Sequence, residues 1–211
     1  LAFIGWNPGS EKEIFSMEEL IKEFSLEKVG KSGGAFNQDK LDWYNKQYLN
    51  MLSENEQIEY IKKFLPETIL NHKNYNEEII NKLTPVLIER INVGSDLIAM
   101  NESNELKYYF EQPEIDIEKL AWKKSTLKDA KKNLEKVYEL FSSIDNNSFN
   151  GEIAKETTWD YAEETGKGDV LWPLRFALSG LERSPDPFTI ANILGKDESL
   201  KRIKFAIELV L

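Results

Sequence analysis

Apolar residues recur at intervals of three and four along most of this chain. The pattern is clearest over residues 127–141, 171–178 and 200–210, where polar residues fill the positions between them. A period near 3.6 residues is typical of helices that bury one face. The second half of the chain shows no convincing alternation of apolar and polar residues of the kind that marks strands. The sequence therefore predicts a mainly α-helical protein.

Capping residues place the predicted helices of the first part of the chain. Ser16 and Glu19 have the spacing of a capping box, which predicts a helix that ends near Phe24. Asn37 or Asp39 is predicted to cap the next helix, because a short polar side chain can accept the free amides of a first turn.

The helix after Asn37 carries two aromatic residues and two polar ones. Trp43 and Tyr48 are assigned to the core, because aromatic residues at helical spacing usually pack inward. Lys46 and Gln47 lie on its more polar side. His72 stands in the polar stretch NHKN and is predicted to be a surface residue.

Prolines and glycines mark further helix ends. Pro85 is predicted to open a helix that carries Arg90, separate from a helix over residues 75–83. Pro173 suits the first turn of the helix around residues 171–178, and Gly180 suits the position just past its end. A further break is expected at Gly195, between the last two helices.

Composition restricts the chemistry that the chain can perform. It has 211 residues, no cysteine and one histidine, so disulfides, cysteine-ligated zinc, a thiol nucleophile and histidine pairs are excluded. No apolar run approaches the length of a membrane span and no signal peptide is present, so we expect a cytoplasmic protein. The chain begins LAFIGW without a methionine and reads as a fragment of a longer protein.

The net charge of −10 argues against a nucleic-acid partner, but the charge is unevenly distributed. Residues 119–136 hold seven lysines against two acids. Four of these lysines, at positions 124, 128, 132 and 136, form one stripe of a predicted helix. The stripe is either an ordinary solvated helix face or a surface that attracts phosphates.

Arg175 interrupts the apolar helix LWPLRFALSG, and the loop SPDPF follows at residues 184–188. A guanidinium stays charged, so it must find partners or reach a surface. A rigid, proline-rich loop beside a braced arginine suits recognition of an unstacked base. The alternative is a buried arginine paired with a carboxylate, beside a loop that only connects two helices.

Short motifs at both ends of the chain resemble bacterial glutamyl-tRNA synthetases, in order and at the expected spacing. The early motifs resemble the region just after that family's KMSKS-type catalytic loop. The resemblance implies three units: a stem-contact segment at 1–55, a first helical anticodon-binding subdomain at 56–112 and a C-terminal one at 113–211. The motifs are LAFIGWNPG at 1–9, EIFS at 13–16, FSL at 24–26, KSGGAF at 31–36, KLDWYNKQY at 40–48, WPLR at 172–175, ALSG at 177–180, SPDPF at 184–188 and LGK at 194–196.

The resemblance also implies which residues contact tRNA. Arg175 would hydrogen-bond an anticodon base, and the 184–188 loop would cradle the other bases. The implied anticodon residues are Arg175, Ser184, Pro185, Pro187, Phe188 and Arg90. The implied contacts to the stem or the phosphates are Lys46, Gln47, Lys124, Lys128 and Lys132.

In that family the full-length enzyme uses ATP and Mg²⁺ to attach glutamate to tRNA-Glu. This chain has neither a HIGH nor a KMSKS motif, and no glycine-rich phosphate loop. We therefore expect it to be inactive alone, to need no cofactor or metal, and to bind tRNA-Glu as a monomer without contacting DNA or a membrane. Whether it also accepts tRNA-Gln is left open.

Two other classes compete with this interpretation. Acidic, helix-rich chains with aromatic cores commonly act as protein–protein interaction modules. A hydrolase could instead use paired carboxylates such as Asp160 with Glu163 or Glu164, but among 37 acidic residues such pairs arise by chance.

Overall fold

The computed structural model describes residues 2–30 and 35–210, and within them the chain is helical. The predicted loop at residues 31–34, and Leu1 of the first motif, lie outside the described residues. The part that the structure describes contains no strand, only one antiparallel bridge between Trp6 and Val29. The mainly α fold is thereby confirmed. The α-helices are α1 (Met17–Glu23), α2 (Gln38–Met51), α3 (Glu54–Phe64), α4 (Glu67–Leu70), α5 (Glu77–Arg90), α6 (Asp96–Glu102), α7 (Leu127–Ser143), α8 (Gly151–Thr165), α9 (Lys167–Ser179) and α10 (Pro187–Leu209).

One hydrophobic core extends from Leu49 near the end of α2 to Val210. Helices α7, α8, α9 and α10 pack against one another, and α10 also reaches α5. The core therefore continues across residue 112, while the boundaries of the three units remain predictions. None of the helices described here is both long and apolar enough to cross a membrane.

The first forty-odd residues pack around a separate aromatic cluster. The ring centroids of Phe3 and Trp6 are 5.6 Å apart, and Phe3 stacks on Tyr44 at 5.7 Å. This small cluster leaves α2 with a narrow buried face, on which only Leu49 is fully buried. The assignment of Trp43 and Tyr48 to the core was wrong for that reason, since they are 42% and 41% exposed.

His72 was wrongly assigned to the surface. Its side chain is 16% exposed, and its Nε2 lies 3.2 Å from Glu111 Oε1. Its Nδ1 accepts the backbone N–H of Asn74, whose side chain donates to the carbonyl of Phe110 at 2.6 Å. The polar link thus packs on the segment that leads into the second half of the chain.

Both interior prolines lie inside helices instead of opening them. Helix α5 runs through Pro85, whose missing N–H frees the carbonyl of Asn81 on an exposed face where water can satisfy it. Helix α9 begins at Lys167, so Pro173 frees the carbonyl of Asp169. That carbonyl accepts the side-chain amide of Asn133 at 2.8 Å.

The predicted breaks and caps otherwise agree with the structure. Ser16 and Glu19 form a capping box at the start of α1, and Asn37 caps α2. Gly195 interrupts α10 with φ 77° and ψ 171°, as the sequence predicted. Gly180 follows α9 in the left-handed region, where a Cβ would lie 2.6 Å from the carbonyl oxygen of Glu114.

Candidate nucleic-acid interface

Arg175 projects from the last two turns of α9 and is partly exposed. Its guanidinium carbon lies 4.8 Å from the ring centroid of Trp172, and one terminal nitrogen donates to the carbonyl of Glu182 at 2.8 Å. Partial burial lowers the pKa of its guanidinium. Arg175 forms no ion pair within the described residues, so the predicted alternative of a carboxylate-paired arginine was wrong. Most of its N–H donors are free for a ligand.

Serine hydroxyls hold the loop that follows α9. The Ser179 hydroxyl donates to the carbonyl of Arg175 at 2.8 Å and accepts the N–H of Leu181 at 3.2 Å. Ser184 Oγ lies 3.2 Å from the same hydroxyl. Ser184 and Pro185 are both partly exposed. These hydrogen bonds hold Ser184 close to the end of α9, while the role of Ser184 and Pro185 in binding stays a prediction.

The end of the loop is the start of α10. Asp186 caps the helix, because its Oδ1 accepts the N–H groups of Phe188 at 3.0 Å and Thr189 at 3.1 Å. Pro187 occupies the first turn, where its missing N–H costs no hydrogen bond. Pro187 and Phe188 are buried, with Phe188 only 5% exposed. They support the loop from beneath, which corrects the prediction that they offer apolar faces to bases.

Arg90, at the end of α5, forms an ion pair with Glu105. The rings of Tyr108 and Tyr109, which follow in the chain, have centroids 4.1 Å apart and are tilted by 36°. Burial raises the pKa of Tyr109 to about 12, and the charges of both Arg90 and Asp186 act on its hydroxyl. The ion pair holds Arg90 beside the segment that leads to Tyr108 and Tyr109, and Glu105 occupies part of the arginine's binding capacity.

Sequence reasoning missed two tryptophans beside Arg175. The rings of Trp122 and Trp172 are 4.7 Å apart, and Lys123 Nζ lies 4.6 Å from the centroid of Trp122. Trp172 donates through its Nε1 to the carbonyl of Lys119 at 2.9 Å. We call Lys123, Trp122, Trp172 and Arg175 the tryptophan column. Trp172 belongs to the WPLR motif, but nothing in the sequence predicts its contact with Trp122, which lies fifty residues earlier in the chain.

Lys46 has an intramolecular role that corrects its assignment as a tRNA contact. Its Nζ donates to the carbonyls of Glu89 at 2.6 Å and Ile91 at 2.9 Å, and also to that of Ile88. These are the free carbonyls at the end of α5, where a cation is favourable. Burial lowers the pKa of Lys46. The neighbouring Gln47 is partly buried.

Three lysines of the basic stripe are available to a ligand. Lys124, Lys128 and Lys132 are exposed and form no ion pair in the described part of the chain. Lys136 pairs with Glu139 at 3.1 Å. Lys124 directly follows the tryptophan column in the chain, so the stripe continues from that column along α7.

A cleft of about 670 Å³ lies between residues 104–119 and residues 176–182. Its rim carries Lys119, which pairs with Glu182 across the cleft at 2.5 Å. Glu182 is the residue whose carbonyl holds Arg175. The cleft therefore separates the segment after α6 from the segment that carries the candidate loop.

The carboxylates proposed for a hydrolase do not form a catalytic pair. Glu163 binds Lys167 at 2.9 Å and accepts Trp159 Nε1 at 3.0 Å. The lysine keeps the pKa of this carboxyl below its usual value, whereas a general acid needs a raised one. Across residues 2–30 and 35–210, no group of three or more acidic or histidine side chains could hold a metal ion.

Comparison with known proteins gives consistent results. A family model described as an anticodon binding domain matches residues 38–207. A glutamate–tRNA ligase of Clostridium botulinum strain Hall is 36% identical over 212 residues, which cover 99% of this chain and 41% of the relative. A glutamate–tRNA ligase of Cytophaga hutchinsonii is 33% identical, with 98% of this chain and 38% of the relative covered.

Solved structures agree with these relatives. The crystal structure of a glutamate tRNA ligase from Elizabethkingia meningosepticum matches with a TM-score of 0.79 and 33% identity, covering 100% of this chain and 40% of that one. A glutamate–tRNA synthetase from Elizabethkingia anophelis matches with a TM-score of 0.73 and 34% identity. The chain thus spans about two fifths of the length of the proteins it matches.

Proposed function

This chain belongs to the anticodon binding domain family, and we propose that it binds tRNA-Glu by contacting the unpaired bases of the anticodon loop. The two relatives described above, which match it along nearly its whole length, are glutamate–tRNA ligases. We infer that the whole protein attaches glutamate to tRNA-Glu with ATP and Mg²⁺ in the cytoplasm. The chain itself would supply binding as a monomer, with no metal or cofactor and no contact to DNA.

The environment of Arg175 carries this proposal. Its guanidinium lies over the ring of Trp172 and donates one hydrogen bond to a backbone carbonyl, so these two contacts restrain its position before any ligand arrives. Fixing a side chain in advance reduces the entropy that binding costs. A planar guanidinium with free donors suits hydrogen bonding to a base edge, and an adjacent indole supplies a stacking surface.

The basic stripe supports the same proposal by providing a surface that can attract RNA phosphates. Lysine contacts to phosphates orient a nucleic acid but read no sequence. In a chain with a net charge of −10, unpaired lysines must be concentrated locally if RNA is to approach. Lys124, Lys128 and Lys132 provide such a concentration beside the tryptophan column.

The test is a binding titration against tRNA-Glu and a copy with an altered anticodon, at about 50 and about 200 mM salt. We expect tighter binding to the native anticodon at both concentrations. Arg175→Ala should reduce that preference by about fivefold to a hundredfold, because a base contact is worth about 1 to 3 kcal/mol. Arg183→Ala, which removes an equal charge from an exposed residue of the same loop, is the matched control and should change the preference little.

Equal affinity for the two RNAs would contradict anticodon recognition. No binding at either salt concentration would favour the second candidate, a protein–protein interaction module. Two apolar residues of α1 support that candidate, because exposed apolar side chains can form a contact surface for another protein. They are Met17, which is 68% exposed, and Ile21, which is 72% exposed. Adding tRNA-Gln to the titration would show whether the chain distinguishes the two tRNAs.

A further inference from the structure

Arg202 is the most deeply buried charged residue of the described chain. It lies in the second part of α10 and is 1% exposed. Glu198, one turn earlier, accepts its Nε at 2.8 Å. Burial lowers the pKa of Arg202, but the group remains a cation because Glu198 and three carbonyls surround it.

The guanidinium joins segments that are distant in sequence. One terminal nitrogen donates to the carbonyls of both Tyr108, at 2.6 Å, and Leu178, at 2.8 Å. The other donates to the carbonyl of Glu111 at 2.9 Å. Leu178 belongs to the last turn of α9, whereas Tyr108 and Glu111 belong to the segment that leads from α6 toward α7. One side chain thus fixes the distance between these two segments.

The two segments are the walls of the cleft described above. Tyr108 and Glu111 line one wall, and Ser179, next to Leu178, lines the other. Arg90 lies on the side of the first wall, because it forms an ion pair with Glu105, which stands between the lining residues Asn104 and Lys107. Arg175 and the loop that reaches Asp186 belong to the second. The two halves of the candidate interface therefore meet through Arg202.

We propose that Arg202 is a positioning residue that sets the spacing between Arg90 on one wall and Arg175 with its loop on the other. This inference rests on the proposed function. Two binding groups can contact the same RNA only when their separation matches it, so the spacing determines how well the anticodon is discriminated. The exposed Lys119–Glu182 pair also bridges the cleft, but a solvated ion pair constrains geometry weakly.

The geometry requires a guanidinium and not merely a positive charge. The three nitrogens of the planar guanidinium donate to one carboxylate and three carbonyls. A lysine ammonium has a single nitrogen, from which all its donors project. Arg202→Lys would keep the charge opposite Glu198 but lose part of the bridge between Tyr108 and Leu178. We therefore expect this variant to fold with a looser cleft.

The experiment measures the ratio of dissociation constants for tRNA-Glu with altered and with native anticodon, in the whole chain, well below the unfolding midpoint. Arg202→Lys should lower this ratio by about threefold to tenfold, the range expected when a bridging network is weakened. Glu198→Gln keeps a hydrogen-bond acceptor for Nε and should lower the ratio less. Glu208→Gln on the same helix, where the carboxylate is exposed, is the matched control and should leave the ratio unchanged.

The outcomes separate positioning from stability. Circular dichroism would follow unfolding, and a lower midpoint with an unchanged ratio in both variants would overturn the inference, since it would assign Arg202 to stability alone. A parent chain with a ratio of one would overturn the proposed function and this inference with it. A ratio that falls in Arg202→Lys but not in Glu208→Gln would support positioning.

Discussion

Asp186 is the residue that begins α10 and ends the candidate loop. It accepts two backbone N–H groups of the first turn and the hydroxyl of Thr189. Losing such a cap costs about 1 kcal/mol of stability, so Asp186→Ala should lower the free energy of unfolding in urea by that amount. Asp186→Asn can still cap and should retain most of it. Equal stability of the alanine variant and the parent would contradict this role.

Tyr109 should make the stability of the protein depend on alkaline pH. Its side chain is buried, and burial raises the pKa of its hydroxyl to about 12 from 10.0. The raised pKa means that its contribution is fully present below pH 10.0 and is lost as pH rises through about 12. Tyr109→Phe should remove about 2 to 3 kcal/mol of that alkaline loss while changing stability at neutral pH little.

The measurement for Tyr109 is urea unfolding of parent and variant at several pH values. Tyr138→Phe, at a partly exposed tyrosine of α7, is the control and should leave the alkaline decline in place. Parallel curves for the parent and Tyr109→Phe would show that this phenol does not cause the decline.

At the same scale, the two arginines show why the sequence alone does not decide whether a charged side chain is buried. Arg175 stands among apolar residues yet reaches the surface, because Trp172 and the carbonyl of Glu182 draw it outward. Arg202 stands in the mixed stretch ESLKRIKF yet shares a buried face with Ser199 and Ala206. Local hydrophobicity indicates whether a segment is buried, whereas the partners of one charge depend on segments about 24 to 94 positions away.

Among the elements, α9 receives a hydrogen bond from another helix at the carbonyl that its proline frees. Asn133 of α7 donates to the carbonyl that Pro173 frees, and its own Oδ1 accepts the hydroxyl of Tyr161 at 2.7 Å. Asn133→Leu would leave the carbonyl and the hydroxyl without partners, each at a cost of about 1 to 3 kcal/mol. Thermal unfolding should show this loss. Tyr161→Phe spares the bond to α9 and should lose clearly less, so equal losses would contradict the account.

The sequence predicts a helix end correctly where the signal comes from neighbouring residues. It does not predict that a helix continues through a proline. Ser16 with Glu19 begins α1 and Gly195 interrupts α10, because capping and left-handed backbone depend only on nearby residues. Pro85 and Pro173 were read as helix starts. The carbonyl that Pro85 frees lies on an exposed face, and the carbonyl that Pro173 frees accepts Asn133. A single sequence does not show those partners.

For the whole molecule, ordered motifs identified the family more securely than they identified the contacts. The motifs lie at both ends of a chain that matches glutamate–tRNA ligases over 99% of its length, and that resemblance is confirmed. The candidate site was only partly predictable. Arg175, Ser184 and Pro185 are at a surface. Phe188 belongs to the hydrophobic core and Lys46 binds carbonyls at the end of α5, and both of these contacts depend on the tertiary fold.

The electrostatics of the whole chain yield the last prediction. Replacing Lys124, just before α7, and Lys128 and Lys132 within it by glutamine removes three exposed cations that form no ion pair in the described residues, and it leaves the buried face of α7 untouched. RNA affinity should fall to a similar extent for native and altered anticodons, and the slope of log affinity against log salt should decrease in magnitude by about 2 to 3. The same triple change at the exposed residues Lys22, Lys63 and Lys73, which lie on other elements, alters the net charge equally. If both triple variants lost the same slope, net charge would account for RNA attraction, whereas a loss confined to α7 would assign the phosphate contacts to the face that continues from the tryptophan column.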